Sequence, residues 1–291
     1  MTKMPKTSPN DLGRIIDRVE DLPTLPRTVL KITELVNDPK SSARDLARII
    51  TDDQVLAARL LRLVNSSFYG FPQRISTITG AIVLLGFDAI RNLLLTTSVF
   101  DLFSNPRKTS VVKQEQFWDH SLGCAVGAKV IGNYLRYDKV EELFVSGLLH
   151  DIGKIVEMIF MPEAFKEINN LVKTENILMI TAEQKILGYS HTDVGRLLAE
   201  KWNLPPKLIR VILHHHQPSE AGRFALESAI VHLADILCRS LNIGYGGDDK
   251  MPPLDKKAWE SLRIRSRAIE SILAELSKEF NDISLFITYT P

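Results

Sequence analysis

The chain has 291 residues, 45% hydrophobic and 24% charged, with 36 Lys and Arg against 35 Asp and Glu. This is ordinary globular composition at a length that allows two packed units with real cores, and a net charge of +1 provides no field to recruit nucleic acid or a membrane surface. The two cysteines, Cys124 and Cys238, lie far apart in apolar surroundings, which excludes a disulfide framework and suits a reducing, cytoplasmic setting. Residues 1–11 are polar and lack the apolar core of a signal peptide. The most apolar stretch, 80–95, is broken by Asp88, Arg91 and Asn92 and is no membrane span.

In chain order, residues 1–11 are expected to be disordered and Leu12 to Glu20 to form a first helix. Leu22-Pro23-Thr24-Leu25-Pro26 is an extended, stiffened approach, because a residue before Pro is pushed off helical dihedrals. Val29, Ile32, Thr33 and Val36 then recur at helical spacing up to Asn37-Asp38-Pro39. Ser42 and Asp45 form a capping-box pattern ahead of Leu46, Ile49 and Ile50, and Thr51 to Gln54 repeats it ahead of Leu56, Leu60, Leu63 and Val64. This pair of short helices invites a helix-turn-helix reading, but the second is dominated by Leu with only Arg59 and Arg62 as long cations, which argues for burial. After a loop carrying Phe68, Tyr69 and Phe71, helices are expected over Thr77–Leu85 and Phe87–Phe103, separated at Gly86. No stretch alternates convincingly with period two, so the fold class is all-α.

The polar stretch Ser104–Gln116 marks a boundary. The expected organisation is a helical subdomain over 12–110, a second helical core over 117–243 and a last helix over 255–280, with 282–291 irregular. All seven histidines fall after residue 119: His120, His150, His191, His214, His215, His216 and His232. His120 is placed near the start of a helix running to about Tyr134, thinned by Gly123, Ala125, Gly127 and Ala128. His191 follows Ser190, with Asp193 three residues beyond the cap, and should stand at an exposed helix start. Lys207 to His216 reads as a helix ending in three histidines. His232 and Asp235 share one face of an apolar helix over Glu227–Leu241 and could be a hydrogen-bonded pair.

The apolar run Leu143–Leu149 ends at His150-Asp151-Ile152-Gly153-Lys154, a neutral nitrogen beside an anionic oxygen. Consecutive helical side chains diverge by about 100° and share an ion only where the helix breaks. Gly153 offers that break, or else lets another backbone approach closely. As a dipeptide, His150-Asp151 fits a hydrogen-bonded pair as well as a metal site. An unpaired Asp235 inside Ile230–Leu237 would be costly and calls for a partner. Histidines gathered at helix ends over five segments, with two embedded Asp, favour a converging metal centre. Cys124, four residues after His120, and Cys238, three after Asp235, could face that cluster, but read better as buried structural thiols.

In that order, His120, His150-Asp151, His191, His215-His216 and Asp235 resemble the ligand series of the HD superfamily of metal-dependent phosphohydrolases, and most closely its HDOD branch. The Leu22–Pro26 approach, Asn65-Ser66-Ser67-Phe68-Tyr69-Gly70, Gly147–Lys154, Ser190–Gly195 and Trp202-Asn203-Leu204-Pro205 resemble that branch too. The resemblance covers roughly residues 20–240. It implies an all-α HDOD/HD-type bundle acting in bacterial signalling, with regulatory protein partners. It also implies one or two divalent ions (Fe, Mn, Ni, Co or Zn) held by His120, His150, Asp151, His191, His215, His216 and Asp235. An active phosphohydrolase on a nucleotide or other phosphoester is the alternative, with Asp151 orienting water. Lys154 would then neutralise a phosphoryl oxygen, or else stand as an ordinary surface lysine. The related cyclic-di-GMP phosphodiesterases carry a Gly-Tyr-Pro segment that this chain lacks, which argues against that substrate. The last amphipathic helix would close the core or mediate self-association.

Overall fold

The computed structural model describes residues 31–32, 35, 41–65, 71–87, 89–91, 93–94 and 111–288. The expectations for 1–30, for Asn37–Pro39, for Phe68 and Tyr69, and for the helix beyond Leu94 fall outside these residues. Among the described residues every regular element is helical.

Helix α1 (Ala43–Thr51) opens on the expected capping box: Asp45 N donates to Ser42 Oγ at 3.3 Å and Ser42 N to Asp45 Oδ2 at 3.1 Å. It buries Leu46, Ala47 and Ile50. Helix α2 (Gln54–Val64) is capped differently from the expectation. Thr51 belongs to α1, its hydroxyl spent on Ala47 O at 2.7 Å, so Asp53 supplies the cap by accepting from Leu56 N at 3.0 Å. Leu56, Leu60 and Val64 are buried, as the Leu-rich sequence required. The Asn65 side chain then pins the returning chain, donating to Ile75 O and accepting from Ile75 N, both at 2.7 Å. Helix α3 (Ile78–Leu85) is capped by Thr77 and ended by Gly86 at φ +85°.

Among the described residues, helical backbone at 87, 89–91 and 93–94 is followed by ten helices: α4 (Val111–Tyr134), α5 (Val140–Leu149), α6 (Ile152–Phe160), α7 (Pro162–Glu175), α8 (Met179–Ile186), α9 (His191–Lys201), α10 (Pro206–His214), α11 (Ala225–Ser240), α12 (Lys256–Leu262) and α13 (Ile269–Thr288). Helix α4 is the hub, packed against α5, α11 and α13, while α9 lies against α6 and α10. Close approach explains the small residues. A Cβ on Gly147 of α5 would fall 2.5 Å from Cys124 O, so the two helices meet backbone to backbone.

Three expectations are corrected. The polar boundary stretch is already helical from Val111, which places His120 in the middle of α4 rather than near its start. The last helix is two: Arg263, left-handed at φ +52°, stops α12, and the chain restarts through a short turn at 266–268. Residues 282–288, expected to be irregular, continue α13, because Ile283 extends the buried stripe of Ile272 and Leu276. No helix among the described residues is long and apolar enough to cross a membrane.

Candidate metal centre

The centre starts at the break between α5 and α6. Leu149 ends α5, His150 is its cap, and Asp151 sits at φ −102°, ψ 15°, the bridge region between helical and extended backbone. That turn, rather than Gly153, brings the two side chains together, with His150 Nε2 3.3 Å from Asp151 Oδ2. Gly153 serves the other purpose considered for it. A Cβ there would lie 1.9 Å from His191 O, so only glycine lets α6 touch the first turn of α9.

That crossing also buries His191, which is 0% exposed instead of standing at a solvated helix start. All seven expected ligands converge. His120 Nε2 lies 3.1 Å from Asp235 Oδ1 and 3.8 Å from Asp151 Oδ2. On the other side, Asp151 Oδ1 is 3.3 Å from His191 Nε2 and 3.4 Å from His215 Nε2. His191 Nε2 is in turn 3.1 Å from His216 Nε2. Helix α10 ends at His214, so His215 and His216 lie just past it and swing inward, while His214 belongs to neither ligand group.

His232 and Asp235 are not a pair. His232 Nε2 accepts from Asp255 N at 3.0 Å, which leaves Nδ1–H to donate to His215 O at 2.8 Å. Asp235 is partnered by Arg239, one turn along α11, through Nε at 2.9 Å. Arg239 also donates to Gly246 O at 3.0 Å and to Asp248 Oδ1 at 3.1 Å, clasping the 244–250 loop to the site. Lys154 is 1% exposed, which overturns the surface-lysine reading; its Nζ donates to Asp151 Oδ2 at 2.5 Å and to Gly246 O at 2.8 Å.

The outer layer fixes the rings. His150 Nδ1 meets Gly147 O at 2.6 Å, His215 Nδ1 meets Ile212 O at 2.9 Å, and His191 Nδ1 meets Glu183 Oε2 at 2.7 Å. Each Nδ1 faces an acceptor and so carries the proton, turning a bare Nε2 inward as metal ligation requires. Burial opposes the charges of Asp151 and Asp235. His150 and Lys154 nevertheless hold Asp151, and Arg239 and His120 hold Asp235, well below the ordinary carboxylate range. Burial pushes His191 down, reinforced by Lys154, and His216 down, reinforced by His215, so both imidazoles favour the neutral form that metal ligation requires. His120 goes the other way. Burial opposes its proton, but Cys124 and Asp235 prevail and raise it to about 9. Glu157, wholly buried beside Glu183, is pushed well above the ordinary carboxylate range by burial and then by Glu183.

The donors form two groups, His120, Cys124, His150 and Asp235, and Asp151, His191, His215 and His216, each with ligand atoms within 4.8 Å of one another. His150 Nε2 and Asp151 Oδ1, both buried between the groups, make no hydrogen bond. Inward lone pairs without donors are costly unless a cation takes them, so these residues fit divalent ions. A cavity of about 230 Å³ reaches the second group past Lys154, His191, His216, Gln217 and Arg239. Sequence reasoning missed Glu183 and Arg239, while of the two thiols considered for the cluster Cys124 joins the first group and Cys238 neither. Only Arg239, four residues beyond Asp235 on one helix face, left a readable signal.

Residues 22–218 match the HDOD domain. The chain belongs to the HDOD family. An HDOD domain protein of unknown function from Geobacter sulfurreducens is 30% identical and superposes with a TM-score of 0.78, over 96% of both chains. A Shewanella amazonensis SB2B protein provisionally named a phosphohydrolase shares the fold at 23% identity and TM-score 0.72, over 94% of this chain and 97% of that one. An uncharacterized Treponema pallidum (strain Nichols) protein is 28% identical over 87% of this HDOD chain, which spans about half (48%) of that relative's length.

Proposed function

We propose that this HDOD-family chain is a signalling or regulatory protein holding two divalent cations with Asp151 between them. The observation behind this reading is the division of Asp151: Oδ2 faces His150 and His120, while Oδ1 faces His191 and His215. His120, His150, Asp151 and Asp235 would hold one ion; Asp151, His191, His215 and His216 would hold the other. Donors of this kind accept Fe, Mn, Ni, Co or Zn. Regulation is the role that the HDOD resemblance implies, exercised through protein partners or self-association.

A second reading, phosphoester hydrolysis, is favoured by the cavity beside the second group. Divalent ions there would acidify a bound water and polarise a phosphoryl oxygen. The chain's own residues suit that work. Lys154 lines the cavity and spends two of its three N–H bonds on Asp151 and Gly246, leaving one for a phosphoryl oxygen. Asp151 orients, and Arg239 holds Asp235 and the loop in place.

The test is a phosphomonoesterase and phosphodiesterase screen on metal-quantified protein, wild type against His150→Ala and Asp151→Ala. Turnover lost in both variants supports the hydrolase. Metal without turnover on any substrate supports the regulatory role. No metal, even after reconstitution with Fe(II) or Mn(II), would overturn both readings.

A further inference from the structure

Cys124 lies on the same face of α4 as His120, one turn on, and is 0% exposed. Its Sγ is 3.6 Å from His120 Nε2. Metal–nitrogen bonds of about 2.0–2.1 Å and a metal–sulfur bond of about 2.3 Å, held at a tetrahedral angle, set N and S about 3.6 Å apart. The same geometry separates N and O by about 3.3 Å, against 3.1 Å between His120 Nε2 and Asp235 Oδ1. The fourth member, His150 Nε2, is wholly buried and makes no hydrogen bond.

From these positions we infer that Cys124 is itself a ligand, so that the first ion sits in a mixed sulfur, nitrogen and oxygen set in which Cys124 joins His120, His150, Asp235 and the shared Asp151. The inference rests on the two-cation reading and adds to it a thiolate. On binding, the Cys124 thiol gives its proton to solvent and the sulfur donates a lone pair. Thiolate is a softer donor than imidazole or carboxylate, so the first site discriminates for Zn, Fe or Co and against Mg and Mn more strongly than the second site of three imidazoles and a carboxylate. Cys238 lies across the α4–α11 contact, close to where a Cβ on Gly123 would fall, and belongs to neither ligand group. It neighbours the Cys124 thiol without joining the group, and so controls for the loss of an adjacent thiol.

The experiment is X-ray absorption on the full chain loaded with zinc, alongside optical spectra of the cobalt(II) form. The expected result is a sulfur shell at ~2.3 Å beside nitrogen and oxygen at ~2.0–2.1 Å, with a thiolate-to-cobalt charge-transfer band. Cys124→Ser should lose both signals and Cys238→Ser should keep them. The wild-type spectra need no variant, so a Cys124→Ser protein that fails to fold leaves the result readable. Bound metal with no sulfur shell in wild type would overturn the thiolate ligand while leaving the two-cation reading intact. Failure to bind zinc or cobalt at all would overturn both.

Discussion

Glu183 holds His191 twice, accepting from its backbone N–H at 2.9 Å and facing its Nδ1 at 2.7 Å. One carboxylate oxygen thereby caps the start of α9 and sets the tautomer of an imidazole in the candidate centre. Glu183→Ala should lower metal affinity about 10–100-fold, the usual effect of removing such an outer partner. Glu183→Gln keeps an acceptor and should lose less. Isothermal titration with zinc would check the order; equal affinities in all three proteins would refute it.

Lys154 and Asp151 form a buried pair whose members cannot be removed singly at low cost. In chelator-treated protein, Asp151→Ala should destabilise by about 3–5 kcal/mol, because the lysine stays buried without its counter-charge. Adding Lys154→Met should recover much of that loss, a non-additivity that urea unfolding of the four proteins in the cycle would measure. Additive effects would mean that the pair is not coupled.

Gly153 is a point of backbone contact, with the would-be Cβ 1.9 Å from His191 O. Gly153→Ala must push α6 from α9 and should cost about 1–3 kcal/mol or more. It should also weaken metal binding by displacing His191. A melting temperature equal to wild type would contradict the contact.

Asp255 caps α12, accepting from Ala258 N at 2.9 Å and from the Ser219 hydroxyl at 2.8 Å. Burial is the largest single influence and opposes its charge, but these hydrogen bonds together with the Lys257 N–H and the nearby His232 prevail and depress its pKa. A depressed carboxylate contributes stability above its unfolded value, about 3.9, and loses it as pH falls through the folded value. Asp255→Ala should therefore cost about 1 kcal/mol at pH 7, typical of a lost cap, with the gap to wild type closing below about pH 4. Thermal melts across that range would show it; a gap independent of pH would count against the cap.

The candidate set was legible because chemistry and position agreed: histidines absent before residue 120, then present at the helix ends of His150, His191 and His214 to His216, with Asp235 stranded in an apolar helix. The supports were not. Glu183 sits in Met179-Ile180-Thr181-Ala182-Glu183-Gln184-Lys185, which reads as a helix with a charged solvent face, and only the packing of α8 turns it inward to 0% exposure. Lys154 reaches Gly246, 92 residues away, a pairing that no local pattern encodes. The break in the last helix escaped notice because Arg263 is an ordinary helix former with no glycine or proline beside it.

The most direct test of the central claim is metal content per chain, measured on purified, reconstituted wild type, His120→Ala, His216→Ala and Asp151→Ala. The account predicts two divalent ions in wild type, one in each histidine variant, and the weakest retention in Asp151→Ala, which removes the shared ligand. A wild type without metal, or one whose content is unchanged by Asp151→Ala, would contradict it.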